Sequence, residues 1–179
     1  MELFQAIKER HSYRGDFKQQ PVPREHLEQI VKAGIKAPSG KNRQTTEFVI
    51  ADNPDLLRQI RNAVPSNRPI QSAPAIIGCI MDREPEKIFH GYSFQVEDYA
   101  AATENMLLAI TALGYASVWL DGMLRIEGRE RKIAELLNIP ENKQLRVILP
   151  VGIPVQTEKQ AEKRAFSERA WYNSYRDGN

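Results

Sequence analysis

Two short stretches of this 179-residue chain combine cationic, hydroxyl and amide side chains at spacings that suit ligand binding. Residues 10–14 read Arg-His-Ser-Tyr-Arg, so two guanidinium groups and a hydroxyl fall within about one turn. Such groups make charge-assisted hydrogen bonds to phosphate. Residues 37–44 read Ala-Pro-Ser-Gly-Lys-Asn-Arg-Gln, a turn where backbone can approach a flat ligand closely. Together they predict a phosphate-bearing cofactor held across two elements.

Each piece also has a simpler interpretation when it is taken alone. Cations near a helix end complement the helix dipole. A Pro-Ser-Gly sequence is an ordinary turn. A basic pair further along, Lys163-Arg164, is by itself a solvated charge pair. Only the combination of these pieces, in their order along the chain, favours a ligand site.

Hydrophobic periodicity predicts the elements that position these stretches. A helix over residues 2–9, with Leu3, Phe4 and Ile7 on one face, leads into the first stretch. A helix over about residues 24–36 ends before Pro38, because a proline disfavours helix in the preceding residue. The other predicted elements are helices at about 55–64, 95–113 and 127–138, strands at 47–51, 75–81, 116–120 and 146–151, and a loop or short helix at 65–74.

Composition limits the class of protein. The formal net charge is +2, so charge alone does not indicate a nucleic-acid partner. No stretch approaches the roughly 20 apolar residues that span a bilayer, and no signal peptide is evident, so we expect a cytoplasmic protein without a membrane partner. The single cysteine, Cys79, lies in an apolar run and is expected to be a buried thiol.

Several common chemistries lack their motifs here. The sequence contains neither of the glycine-rich phosphate loops GxGxxG and GxxxxGK[ST], and no GxSxG nucleophile motif. The three histidines, His11, His26 and His90, are scattered and show no metal-ligand spacing, so we expect no metal site. No catalytic triad or paired carboxylate is evident.

The ordered set of pieces resembles the nitroreductase family of FMN-dependent oxidoreductases, over roughly residues 2–175. In that family a segment like residues 10–14 is followed by a phenylalanine, here Phe17, then by a helix and a segment like residues 37–44. The remaining matches are the long-helix segment 101–114, Trp119-Leu-Asp-Gly122, Val151-Gly-Ile-Pro154 and Lys163-Arg164.

The resemblance implies an α+β fold, an α/β sandwich with a central mixed or antiparallel sheet, in an intertwined homodimer. It implies one FMN-binding domain over residues 1–179. Residues from about 155 to 179 are then a C-terminal extension whose aromatic side chains pack on the partner subunit. FMN is expected at the dimer interface, in contact with both subunits.

The resemblance also assigns roles to individual residues. Arg10, Ser12 and Arg164, with help from Lys163, are expected to hold the FMN phosphate. His11 and Arg14 are expected along the ribityl chain and toward the pyrimidine edge, where a cation stabilises the reduced flavin. The expected ring contacts are Pro38, Ser39 and Asn42 from the partner subunit, and Leu120, Asp121 and Gly122 behind the ring near N5.

The implied chemistry is a ping-pong transfer of electrons from NADH or NADPH through flavin N5 to nitroaromatics, quinones or similar small-molecule acceptors. Because stacked rings need positioning more than acid–base help, no protein residue is assigned as catalytic. Enone reduction, dehalogenation, flavin fragmentation and non-catalytic flavin storage remain alternatives on the same scaffold. Thr45-Thr46 depart from the Pro-Trp that often follows in the family, which places the substrate question there.

Overall fold

The computed structural model describes residues 1–175. The predicted elements are confirmed to within three residues, with one exception in the sheet, and residues 68–72 of the ambiguous stretch form a helix. The helices are α1 Leu3–Glu9, α2 Arg24–Ile35, α3 Pro54–Ala63, α4 Arg68–Ser72, α5 Gln95–Ala112 and α6 Arg129–Leu136. The strands are β1 Glu47–Ala51, β2 Ala75–Asp82 and β3 Lys143–Val151.

The three strands form an antiparallel sheet in the order β1-β2-β3. β2 is central and apolar along most of its length, because both faces of the sheet are covered. One face packs against α3, α4 and α6 through side chains that include Ile76 and Ile148. The opposite face packs against α2 and α5 through side chains that include Ile77 and Val147. The α+β sandwich expected from the resemblance is therefore confirmed, and its sheet is antiparallel.

The predicted strand at residues 116–120 is wrong as a continuous strand. It pairs only at its two ends, where Leu120 lies opposite Ile148 of β3 and Ala116 lies opposite Gly152, the residue just after β3. In this register Val118 faces Pro150, which has no N–H to donate to a ladder. The interruption is therefore explained by Pro150 on the neighbouring strand. The segment still adds a fourth row along the outer edge of β3.

The apolar face of α1 points outward. Leu3, Phe4 and Ile7 share this face and are 59%, 83% and 46% exposed, whereas Ala6 is buried. The C-terminal segment also leaves Phe166 and Tyr172 exposed, at 65% and 79%. Apolar surface of this kind marks interaction sites. It is compatible with the expected homodimer and with the expected packing of residues 155–175 on a partner; residues 176–179 lie outside the described part.

Cys79 is fully buried within β2, as the sequence predicts. Its Sγ lies 3.5 Å from Oγ1 of Thr103 on α5. Burial in this apolar setting raises the pKa of the Cys79 thiol to about 12, only partly offset by the contact with Thr103. The thiol therefore serves as a core side chain and has no reactive thiolate at neutral pH.

Candidate functional site

The first predicted stretch lines a cleft of about 390 Å³ beside the C-terminal segment. Backbone pairing fixes its orientation, because Ser12 forms a parallel bridge with Ser117 and the Tyr13 N–H donates to the Ser117 carbonyl at 2.9 Å. The Tyr13 side chain is buried, and alternation turns its neighbours to the cleft. The predicted residues that line the cleft are Arg10, His11, Ser12, Arg14 and Lys163.

The cleft is rich in cations. Arg10 is mostly buried, with 20% of its side chain exposed, and its Nε lies 3.3 Å from Oε1 of the half-exposed Glu104. Gln160 ties the C-terminal segment over this corner by donating from Nε2 to the Arg10 carbonyl at 2.6 Å. That segment brings Lys159 into the cleft, a cation that the motif comparison missed, together with one acid, Glu158. Arg164 is exposed and lies outside the lining, so its phosphate role stays a prediction.

The second predicted stretch is a tight turn anchored on α5. Asp98 is only 4% exposed, and its carboxylate accepts from the Gly40 N–H at 2.8 Å and from Thr45 Oγ1 at 2.7 Å. Ser39 Oγ closes the turn by accepting from the Gln44 N–H at 2.9 Å, and its hydroxyl proton stays free to donate. Lys41, Asn42 and Gln44 all have positive φ. Such backbone conformations cluster at functional sites.

Thr45 and Thr46 have different surroundings, which gives a matched test. Thr45 Oγ1 donates to the buried Asp98, whereas Thr46 Oγ1 is buried without a hydrogen-bond partner among the described residues. Thr45→Val is expected to lower the free energy of unfolding by about 1–3 kcal/mol, because it removes one hydrogen-bond donor from the buried Asp98 carboxylate. Thr46→Val is expected to leave it unchanged or raise it. Urea unfolding of both variants checks this, and equal losses would contradict the assignment.

The two stretches line different cavities of the chain. Pro38 and Ser39 line a cavity of about 130 Å³ beside Asp98, and Asn42 lines a neighbouring cavity of about 340 Å³. Neither cavity shares a lining residue with the cleft around Arg10. A ligand held by both stretches would therefore extend beyond any one of these cavities.

The third predicted group follows the interrupted strand. Both backbone groups of Leu120 pair with Ile148, at 3.0 and 2.9 Å, so the Leu120 N–H is not available to a ligand. Gly122 is exposed, and a Cβ added to it would meet no atom within 4 Å. The Asp121 carboxylate accepts from Arg125 Nε at 2.7 Å and from Arg146 Nη1 at 3.1 Å. The segment therefore offers an open backbone at Gly122 beside a charge-paired aspartate.

Two features near the predicted site were not recognised from the sequence. A tight turn at Phe89–Tyr92, with His90 and Gly91 both at positive φ, packs an aromatic ring 5.2 Å from Lys41 Nζ. A His-Gly pair at the centre of a turn is the signal that identifies it. Arg146 is the second feature; it stacks over Tyr99, whose pKa is raised mainly by burial and less by Asp121.

The described residues contain no helix long and apolar enough to cross a membrane. Within residues 1–175 no cluster of histidine, cysteine, aspartate or glutamate is suited to hold a metal ion. The cations and the Ser12 hydroxyl that line the cleft around Arg10 suit an organic anion such as a phosphate ester.

Comparison with known proteins identifies the family. Residues 7–153 match the nitroreductase family. An Archaeoglobus fulgidus protein named "Putative NADH dehydrogenase/NAD(P)H nitroreductase" is 35% identical over 130 residues, 73% of each chain. A Methanothermobacter thermautotrophicus protein of the same name is 31% identical over 156 residues, 87% of this chain and 79% of that one. A solved structure from Desulfovibrio desulfuricans, of "a putative nitroreductase in complex with fmn", has a TM-score of 0.79 and 26% identity, and 98% of each chain is covered. The chain therefore belongs to the nitroreductase family.

Proposed function

We propose that the protein is an FMN-dependent oxidoreductase that passes electrons from NADH or NADPH to nitroaromatics, quinones or similar small molecules. The observation that carries this proposal is the cationic cleft, where residues 10–14 meet Lys163 in a chain whose solved relative was crystallised with FMN. The names of the two archaeal relatives support a nicotinamide donor.

The residues of the cleft fit a phosphate-bearing cofactor. Its cations Arg10, Arg14, Lys159 and Lys163 outnumber the single acid in its lining, Glu158. Arg10 is held by Glu104, whose side chain is 50% exposed, so a phosphate can replace this partner without stranding a buried carboxylate. Ser12 adds a hydroxyl donor on a backbone fixed by pairing with Ser117. The resulting set resembles phosphate sites in which guanidinium forks and a hydroxyl converge.

We propose that the site is completed in a homodimer. Within one chain the Arg10 cleft and the turn at residues 38–42 line separate cavities, which supports a site in which the partner subunit supplies one of them. Pro38, Ser39 and Asn42 of the partner subunit then face the flavin ring. The exposed apolar face of α1 and the aromatic C-terminal extension provide surface for the association.

Bound FMN would supply the redox chemistry, a two-electron transfer from the nicotinamide to the acceptor. The side chains of the protein bind the cofactor and orient it. Arg10, Ser12 and Lys163 would hold the phosphate, with Arg164, the residue after Lys163, as a further predicted contact. His11 and Arg14 place positive charge toward the pyrimidine edge, which favours the reduced cofactor. Asp121 and Gly122 would lie behind the ring, and no side chain is assigned as an acid or base.

We place this activity in the cytoplasm, where a single unpaired cysteine remains reduced. The partners proposed are a second copy of the chain and a small-molecule acceptor. Nucleic acid is not among them, because a formal net charge of +2 does not indicate such a partner.

An anaerobic turnover screen tests the proposal. FMN-loaded protein is mixed with NADH or NADPH, and nitroaromatic, quinone, enone and halogenated aromatic acceptors follow. We expect the flavin absorbance to bleach with at least one nucleotide and to recover with a nitroaromatic or quinone. Recovery only with enones or halogenated aromatics would assign the alternative chemistry, and a flavin inert to both nucleotides would contradict the proposal and favour storage.

A further inference from the structure

Arg146 occupies an irregular position in β3. Cys79 pairs with Val147 and the next residue of β2, Ile80, pairs with Leu145, so Arg146 is an extra residue in the strand. Such a β-bulge reverses the alternation of side chains across the sheet. Leu145 packs in the cluster on the α3 and α6 face, whereas Val147, two residues on, packs in the cluster on the α5 face. The bulge therefore lies between two residues that regular alternation would place on one face.

The bulge directs the Arg146 side chain toward α5 and the Leu120–Gly122 segment. Its guanidinium carbon lies 5.6 Å from the centre of the Tyr99 ring, and its Nε donates to Tyr99 Oη at 3.3 Å. Its Nη1 donates to Asp121 Oδ1 at 3.1 Å. Only 14% of the side chain is exposed, so three contacts hold an arginine that is nearly removed from water.

The Asp121 carboxylate is thereby enclosed between two cations. Its side chain is 20% exposed, and Arg125, which is 57% exposed, holds the same carboxylate from the solvent side. Arg146 holds it from the interior, where a charge is screened least. Without this inner partner the carboxylate would keep only the solvent-exposed Arg125, so more of its negative charge would act on the surrounding site.

We propose that Arg146 is a positioning residue that fixes Asp121 and balances its charge, so that the segment Leu120–Gly122 presents backbone and no unpaired anion to the flavin. The inference rests on the proposed function, because it places this segment behind the ring. Reduction adds negative charge to the flavin, so an unbalanced Asp121 disfavours the reduced form. Arg146 thus raises the flavin's reduction potential without contacting the reacting atoms.

The test is the midpoint potential of the FMN-loaded protein, measured anaerobically against a reference dye. Arg146→Met keeps an apolar stem of similar length and is expected to shift the two-electron equilibrium about tenfold toward oxidised flavin, a potential lower by about 30 mV. The double variant Arg146→Met/Asp121→Asn removes both charges and is expected to return to the wild-type value. Arg24→Met breaks the ion pair with Asp52 at the opposite edge of the sheet and is expected to change nothing.

An unchanged or raised potential in Arg146→Met overturns the inference, as does a double variant that stays low. Should Arg146→Met fail to fold, Arg125→Met removes the outer partner of the same carboxylate, and a smaller shift of the same sign is expected. Absence of that shift counts equally against the inference. Failure of the proposed function is distinguishable, because wild-type protein would then bind no FMN or show no reduction by either nucleotide.

Discussion

Arg10→Ala is expected to weaken FMN binding by roughly 10- to 150-fold with little change in the fold. The variant removes a charged hydrogen bond to the phosphate worth about 1.5–3 kcal/mol. Its ion-pair partner among residues 1–175, Glu104, is half exposed, so the loss of Arg10 leaves no buried charge behind. Quenching of flavin fluorescence on titration gives the dissociation constant, and thermal denaturation without FMN checks the fold.

Arg131→Ala is the matched control, because Arg131 forms an exposed ion pair with Glu141 and does not line the cleft. It is expected to leave FMN affinity unchanged. The same titration ranks Lys163→Ala against Arg164→Ala. The cleft includes Lys163 and not Arg164, so the larger loss is expected for Lys163. Wild-type affinity in Arg10→Ala would place the phosphate elsewhere on the protein.

Asp98→Ala is expected to lower the free energy of unfolding by about 3 kcal/mol and to weaken FMN binding as well. The buried carboxylate accepts from the Gly40 N–H and the Thr45 hydroxyl, and its removal leaves both donors without their partner. These two bonds hold the turn at residues 37–44 on α5. Because the partner subunit uses this turn at the flavin ring in our proposal, its release reduces affinity in the dimer. Urea unfolding and FMN titration measure the two effects.

Glu97→Ala provides the control for Asp98→Ala. Glu97 is the neighbouring acid in the first turn of α5, and it is exposed. Both acids interact similarly with the helix dipole, worth about 0.3–1 kcal/mol, so the difference between the two variants isolates the buried hydrogen bonds. Equal losses of stability in both variants would show that Asp98 does not anchor the turn.

Local patterns in the sequence were enough to predict most elements of the fold. The longer helices show apolar residues at helical spacing, and a proline or glycine lies near many helix ends. These helices could therefore be predicted without knowledge of contacts between distant parts of the chain. The segment at residues 116–120 differs, because its pairing depends on what the neighbouring strand presents. Pro150 lies about 30 residues away and interrupts the ladder. A propensity pattern read within one segment cannot include that neighbour.

The candidate site likewise contains residues that local motifs predict and residues that they do not. The motifs identified residues 10–14 and 37–44 because each is contiguous, and the structure shows that the first lines a cationic cleft. Asp98 and Arg146 carry no motif, and their roles arise from packing against residues distant in the sequence. Arg146 is also aimed by a β-bulge that depends on register with β2. The sequence alone specifies neither contact.

The Thr45-Thr46 departure has a structural explanation that the sequence did not suggest. Thr45 helps hold the buried Asp98, so its identity supports the turn that presents Pro38 and Ser39. The residues that select the electron acceptor are then expected on the neighbouring surface. The aromatic turn at Phe89–Tyr92 places its Phe89 ring 5.2 Å from Nζ of Lys41, the residue before the proposed ring contact Asn42.

Titration of the protein with FMN tests the central claim most directly. Flavin fluorescence is followed to saturation, and the sedimentation of the saturated sample gives the oligomeric state. We expect one FMN per subunit, in a yellow dimer that bleaches when NADH or NADPH is added without oxygen. Protein that stays colourless and takes up no FMN, or a monomer that holds FMN as tightly as the dimer, would contradict a shared flavin site.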